Sequence, residues 1–319
     1  MQAEVKPTTI LLVQLGTPDA PTSGALRRYL REFLGDPRVV NLPRAIWLPI
    51  LYGPILAFRP RRSAALYRRI WTEKGSPLRL YTEACTEAIA ASFPDHRVEF
   101  AMRYGEPKLS RRLAELRSQG PVLVIPLFPQ YAGATIGSIE DVISAQGEAG
   151  EEIRVLDGYA EHPGYIDALA ASVSEFEQSS GGVDRWLVSF HGIPLSQTKK
   201  DSRYPDQCEA TAKSLAAKMG WADDAWELSY QSRVGPQAWL SPYTEDRFEE
   251  LGRGGLGHLA VICPGFAADC LETIDEIGDV GAEQFQSAGG TRLSLVPCLN
   301  ASPQWISALA AIIREQLED

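Results

Sequence analysis

Of the four histidines in the chain, His191 has the context that best suits chemistry. It closes an apolar run in Ser189-Phe190-His191-Gly192-Ile193-Pro194, where glycine and proline turn the chain sharply. An imidazole left at such a turn can take a proton or bind a metal near neutral pH, though not both at once. His258 falls at the start of a strand, on the wrong edge for a site, and reads as structural. His96 reads as a solvated loop residue, and His162, in Glu161-His162-Pro163, is undecided. The second constellation is acidic. In Cys263-Pro264-Gly265-Phe266-Ala267-Ala268-Asp269-Cys270-Leu271-Glu272-Thr273-Ile274-Asp275-Glu276-Ile277, a strand ends, a Pro-Gly turn follows and a helix begins. Asp269, Glu272 and Glu276 fall at i, i+3 and i+7 and so share one helical face. Leu271, Ile274 and Ile277 form the stripe expected against a sheet. Taken alone, the acidic row reads first as a solvated face favoured by the helix dipole. Set beside a neutral imidazole, it suits a divalent cation of intermediate softness such as Fe²⁺. No HExxH, cysteine cluster or close histidine pair is present to hold a metal permanently, so a metal in transit fits better.

These residues must be positioned by strands and helices. Buried strands are expected at Ile10–Leu15, Val98–Arg103, Val122–Phe128, Ile153–Leu156, Trp186–Phe190, Trp226–Tyr230, His258–Cys263 and Leu293–Val296. Helical patterns lie between them at Gly24–Leu34, Thr82–Ser92, Lys108–Gln119, Tyr165–Gln178, Gln207–Met219, Tyr243–Gly252 and Pro303–Leu317. The alternation implies parallel sheets of right-handed βαβ units. Four strands in each half predict an α/β fold of two similar domains, each a four-stranded parallel sheet flanked by helices. The expected domains are residues 1–165, residues 166–300 with the metal site, and a C-terminal helix at 301–319 packing back. The polar stretch Glu177–Gly182 lies in the region where the boundary is expected. The polar and aromatic residues follow the strand ends, where ligands sit in open α/β sheets, so an active-site cleft between the domains is expected.

The chain has 319 residues, with 45% hydrophobic and 23% charged, as in ordinary globular proteins. A net charge of −10 argues against a nucleic-acid partner. The five cysteines are scattered and never spaced as CxxC, which argues against a zinc ribbon or disulfide framework. Neither GxxxxGK[ST] nor GxSxG occurs, so P-loop and serine-hydrolase chemistry lack support. Met1–Pro7 has no apolar signal core, so a cytoplasmic protein is expected. The longest apolar run, Ile46–Phe58, is too short and too broken by Pro49, Gly53 and Pro54 to span a bilayer. It reads either as a core helix or as an exposed lip for a greasy ligand or membrane surface.

Several runs resemble those of ferrochelatases in order and spacing, most closely the Gram-negative bacterial type. They are Leu11–Pro21, Tyr29–Val40, Trp71–Leu78, Ala101–Pro107, Pro126–Ser138, Ser189–Pro194, Tyr230–Thr244 and Val261–Ile277. The resemblance implies insertion of Fe²⁺ into protoporphyrin IX to give protohaem, by distortion of the porphyrin and proton abstraction. It implies His191 and Glu272 as the catalytic and metal-binding pair, with Asp269 and Glu276 along the metal path. It places porphyrin contacts at Arg103, Tyr104, Gln130, Tyr131, Gln14 and Leu15. It shifts Ile46–Phe58 toward an exposed lip with peripheral contact to the inner membrane.

In the family, iron is a substrate and no cofactor is permanently bound. Some relatives carry a C-terminal [2Fe–2S] cluster on clustered cysteines. Here the last cysteine is Cys298, and no cluster is expected. Position 270 is Cys where some relatives carry His, so no role is carried over to it. A monomer or weak dimer is expected. The alternatives are coproporphyrin III as substrate, which Arg59, Arg61 and Arg62 keep open, another tetrapyrrole metal chelatase, or a non-catalytic haem or porphyrin carrier.

Overall fold

The structure is a computed structural model that describes residues 8–147, 153–199 and 203–318. Met1–Pro7, read above for an export signal, lies outside the described residues. The chain divides into two compact units, residues 1–158 with 310–319, and residues 159–309.

The first unit runs β1 (Thr9–Gly16), α1 (Ser23–Phe33), α2 (Arg44–Ile50), a π-helical turn Leu51–Ile55, α3 (Leu56–Ile70), α4 (Pro77–Ser92), β2 (Arg97–Tyr104), α5 (Leu109–Leu116), β3 (Val122–Pro126), α6 (Ile136–Ser144) and β4 (Ile153–Val155). Its strands are parallel in the order β2-β1-β3-β4. The central strands are buried on both faces, with Ile10 to Val13 and Val124 to Ile125 all fully inaccessible. That is why they read as unbroken apolar runs rather than alternating ones. Local signals set the helix starts. Thr22 Oγ1 accepts from Ala25 N at 3.4 Å before α1, and Pro77 opens α4. Gly16 ends β1 at φ +116°, where a Cβ would lie 1.7 Å from Tyr104 O, so glycine is required for β1 and β2 to meet there.

The second unit runs α7 (Pro163–Ser180), β5 (Arg185–His191), α8 (Leu195–Thr198), α9 (Arg203–Met219), β6 (Trp226–Gln231), α10 (Thr244–Arg253), β7 (His258–Ile262), α11 (Leu271–Thr273), a π-helical segment Ile274–Gly281, α12 (Ala282–Ala288) and β8 (Arg292–Leu295). Its order, β6-β5-β7-β8, repeats that of the first unit, again fully parallel. A last helix, α13 (Pro303–Glu318), starts in the second unit, and its residues from Ala310 cluster with the first.

All eight expected strands form, within a residue or two of their expected ends. The units divide after Gly158, ahead of the expected 165/166 boundary, so α7 lies wholly in the second unit. Glu177–Gly182 is the end of α7 and its cap, with Gly181 left-handed at φ 79°. Helices also form where the spacing gave no separate expectation, at α6, α8, α12 and after Phe58 as far as Ile70.

The apolar run Ile46–Phe58 combines both of its readings. Trp47, Leu48, Leu51, Ile55 and Leu56 pack into a cluster with α1 and Tyr104. Ile46, Tyr52 and Phe58 point outward, 59%, 59% and 75% exposed. Among the described residues, no helix is long and apolar enough to cross a membrane.

Candidate active site

In a sheet ordered 2-1-3-4 the crossovers leave in opposite directions from the first strand, and the crevice between strands 1 and 3 is the switch point where ligands bind. In the second unit that point lies beyond the ends of β5 and β7, and it collects His191, the Cys263–Cys270 loop and Glu272. His191 ends β5, and the next peptide is fixed at once because Gly192 N donates to Gln231 O at 2.8 Å. Tyr204 OH donates to the His191 carbonyl at 2.8 Å, holding the backbone from the side of α9. The His191 ring meets Phe266 edge-on, with centroids 6.2 Å apart and planes at 76°. Among the described residues, nothing hydrogen-bonds to its ring nitrogens. Burial pushes the His191 pKa down and the Glu272 charge acts against that, so the imidazole is neutral near pH 7 and lies within the field of the carboxylate.

Glu272 stands in the first turn of α11. The cap of that helix is Cys270, whose side chain accepts from Thr273 N while Thr273 Oγ1 accepts from Cys270 N at 3.0 Å. Burial raises the thiols of Cys263, Cys270 and Cys298 well above their usual range, which keeps them protonated and poor metal ligands.

The single acidic helical face does not form. The helix begins at Leu271, so Asp269 lies ahead of its cap, outside the helix. The Asp269 carboxylate, 6% exposed, accepts from Asn300 Nδ2 at 2.7 Å, from Thr273 Oγ1 at 3.0 Å and from Cys298 N at 3.3 Å. From Ile274 onward the helix is π-type, which changes the angular spacing of its side chains. The expected Leu271–Ile274–Ile277 stripe is therefore rotated: Thr273, Asp275 and Ile277 are buried, while Leu271 and Ile274 are half exposed. Glu276 is held by Ser232, whose N donates to Oε1 and Oγ to Oε2, each at 2.7 Å. Ser232 has φ 65°, a left-handed backbone that turns both donors onto the carboxylate. Burial, reinforced by the Glu272 charge and opposed by the Ser232 bonds, raises the Glu276 pKa to about 7. A cavity of 80 Å³ lies beside it, lined by Ser232, Arg233, Glu245, Glu276 and Gln284 among others. Among the described residues, no three His, Cys, Asp or Glu side chains are gathered into a ready metal cage.

In the first unit, the residues expected at the porphyrin lie at the equivalent edge. Gln14 and Leu15 end β1, Arg103 and Tyr104 end β2, and Gln130 and Tyr131 follow β3. They are knitted into the unit. Arg103 pairs with Asp36 and donates through Nε to Ser138 O at 2.9 Å. Tyr104 is fully buried, its OH donating to Asp36 Oδ2 at 3.0 Å, with the Arg103 guanidinium 4.4 Å above its ring. Tyr131 OH donates to Glu140 Oε2 at 2.7 Å, and Gln14 Oε1 accepts from Leu15 N at 2.9 Å. Gln130 is 3% exposed.

The other histidines are structural. His258 bonds Gly182 O and, at 3.0 Å, Ser294 Oγ. His162 caps α7, with Nδ1 accepting from Gly164 N at 3.1 Å. His96 is not merely solvated, because Nδ1 lies 3.0 Å from Thr8 O and its ring packs edge-on to Phe93. Sequence reasoning passed over Asp36, Tyr204, Gln231 and Ser232. Their partners lie 13 to 68 positions away, though Asp36 falls within the distinctive Tyr29–Val40 run and Gln231 and Ser232 within Tyr230–Thr244.

The family model for ferrochelatase matches residues 7–317. The chain is 47% identical over 317 residues to a ferrochelatase of Azoarcus sp. strain BH72, covering 97% of this chain and 87% of that one. It is 44% identical to the ferrochelatase of Methylococcus capsulatus, with 97% of both chains covered. It is 43% identical to that of Neisseria gonorrhoeae, over 97% of this chain and 94% of the other. Among solved structures, its fold is like that of CbiX, the terminal enzyme of sirohaem biosynthesis in denitrifying bacteria, at TM-score 0.55 and 17% identity over 96% and 98% of the two chains. SirB from Bacillus subtilis, solved with Fe³⁺, superposes at TM-score 0.56 and 12% identity over 97% and 95%. With matching runs spread over both units and their strand-end edges, the chain belongs to the ferrochelatase family.

Proposed function

We infer that the protein is a metal–porphyrin chelatase that inserts ferrous iron into a porphyrin for haem synthesis, with protoporphyrin IX as the ring. The observation that carries the site is the pairing of His191, neutral and with no hydrogen bond on its ring nitrogens among the described residues, with the Glu272 carboxylate at the β5/β7 switch point.

The reaction makes two demands. Fe²⁺ must shed water, and two pyrrole N–H protons must leave. A flat porphyrin keeps its nitrogen lone pairs in the ring plane. A site that grips a bent ring tips them toward one face and lowers the barrier. His191 accepts a pyrrole proton, which a neutral imidazole can do near pH 7. Glu272 binds or steers the iron and passes protons on. Glu276, titrating near 7, is suited to exchange protons between Glu272 and water. Asp269 adds its charge from behind the helix cap, and the combined field concentrates cations at this end of the unit.

Gln14, Leu15, Arg103, Tyr104, Gln130 and Tyr131 form a rigid edge for the porphyrin, positioned by Asp36 and Glu140. The outward Ile46, Tyr52 and Phe58 suit an apolar ring or a membrane surface, and favour the less polar protoporphyrin. They would place a cytoplasmic protein peripherally at the inner membrane, as a monomer or weak dimer. Arg59, Arg61 and Arg62 beside them suit the extra carboxylates of coproporphyrin III, the second reading.

The test is anaerobic incubation with Fe²⁺ and protoporphyrin IX, following loss of porphyrin fluorescence, with coproporphyrin III in a parallel cell. Rapid loss that vanishes in His191→Ala is expected, with protoporphyrin the faster. Porphyrin bound without metal insertion would instead fit a carrier.

A further inference from the structure

Gln231, the last residue of β6, is 3% exposed and touches both halves of the His191–Glu272 pair. Its backbone is the register partner of His191, and its carbonyl accepts from Gly192 N at 2.8 Å. The approach is close enough that a Cβ on Gly192 would lie 2.8 Å from Gln231 O. Its side-chain Nε2 donates to the Glu272 carbonyl at 2.7 Å. Its Oε1 accepts from Ser189 Oγ at 2.8 Å and from Cys263 Sγ at 3.5 Å. The amide has one sensible orientation, since a backbone carbonyl only accepts and the nitrogen must face Glu272. Behind it, Ser189 Oγ lies 2.9 Å from Thr244 Oγ1, which lies 2.8 Å from Ser229 Oγ. One buried side chain thus ties together β5, the end of β7 and the first turn of α11.

We propose that Gln231 is the positioning residue that sets the separation between the His191 imidazole and the Glu272 carboxylate. The inference rests on the site reading given above. Glu272 needs such a tether. Its helix, α11, has only three residues before the backbone becomes π-type, so few regular helical bonds fix its first turn. The Gln231 amide anchors that turn to the sheet edge that carries His191. At Glu272 it bonds the backbone carbonyl rather than the carboxylate and therefore acts through geometry, where an error near 1 Å can cost orders of magnitude in rate.

The test varies Fe²⁺ and protoporphyrin IX separately in anaerobic steady-state assays of the full chain. Gln231→Met keeps length and volume and removes all three side-chain bonds. Gln231→Glu keeps an acceptor for Ser189 and loses the donor to Glu272 O. For both, kcat/KM for iron should fall at least about 10-fold, while KM for porphyrin stays within about twofold. Ser189→Ala, which removes the partner on the other side of the amide, should lower kcat/KM for iron less than about threefold. An unchanged kcat/KM for iron in folded Gln231→Met overturns the proposal. So does a Ser189→Ala defect equal to that of Gln231→Met, or a joint rise of both KM values, since either marks a packing role alone. If Gln231→Met fails to fold, Gln231→Glu decides by the same criteria. His191→Ala is run beside them. Normal turnover there would sink the site reading itself, whereas a dead His191→Ala with a normal Gln231→Met would sink only the tether.

Discussion

The two units share one strand order and differ in what they do with the edge that order creates. At the first unit's edge, polar side chains are matched to one another: Arg103 and Tyr104 to Asp36, Tyr131 to Glu140, and Arg38 Nε to Asp141 at 2.7 Å. At the second unit's edge, two groups are unlike this: one lacks hydrogen-bond partners on its ring nitrogens and one, though held by Ser232, titrates far from its usual range. His191 carries no hydrogen bond on its ring nitrogens among the described residues, and Glu276 is held protonated up to about pH 7. A satisfied polar network makes a stiff platform, whereas buried groups with displaced titration mark chemistry. On the proposed reading, the same frame supplies a surface to grip with in one copy and reactive groups in the other.

If this contrast holds, substitutions in the first unit should cost stability and those in the second should cost rate. The largest effect is expected for Asp36→Ala. It strips a buried partner from Arg103, whose side chain is 12% exposed, and should lower unfolding free energy by about 3–5 kcal/mol in a urea titration. A loss below about 1 kcal/mol, the scale of exposed pairs, would break the contrast from the first unit's side. His191→Ala and Glu272→Ala should each cut turnover at least about 10²-fold, or about 3 kcal/mol of barrier, with little change in melting temperature. Near-normal turnover in either would remove that residue from the mechanism.

Glu276 sharpens the comparison through pH. Its folded pKa is about 7, against an ordinary value of 4.5. Between those values the unfolded state has released a proton that the folded state keeps, so stability falls as pH rises from about 4.5 through 7. Glu276→Gln should flatten that slope in melting curves taken across the window. A parallel slope in variant and wild type would assign the titration elsewhere. The smallest effect is expected for Tyr204→Phe, which removes the 2.8 Å bond to the His191 carbonyl at a cost of about 1 kcal/mol in stability. Turnover should fall less than in His191→Ala, since the imidazole stays in place.

The eight strands were legible because parallel strands buried on both faces must be continuous apolar runs, as in Ile10–Val13 and Leu259–Ile262. The place of His191 at the end of β5 was legible because Gly and Pro mark the turn that follows it. The acidic row was legible in composition and misjudged in geometry. Nothing in a 3.6-residue spacing announces that the helix starts after Cys270 or passes into a π segment, so Asp269 was assigned to a face it does not share. The supporting groups were illegible for another reason. Asp36 reaches Tyr104 across 68 positions and Gln231 reaches Glu272 across 41, and only the folded sheets bring such partners together.

The place of α13 bears on how the protein is made. Ala310, Ile312 and Ile313 are buried and count with the first unit, and Arg314 lies over the Phe93 ring at 5.3 Å. Synthesis proceeds from the N-terminus, and domains generally fold in that order as they emerge. The second unit, residues 159–309, is translated before that last piece of the first. The nascent first unit therefore waits on the ribosome with an unfilled seam, and the closing turns of α13 act as a late latch.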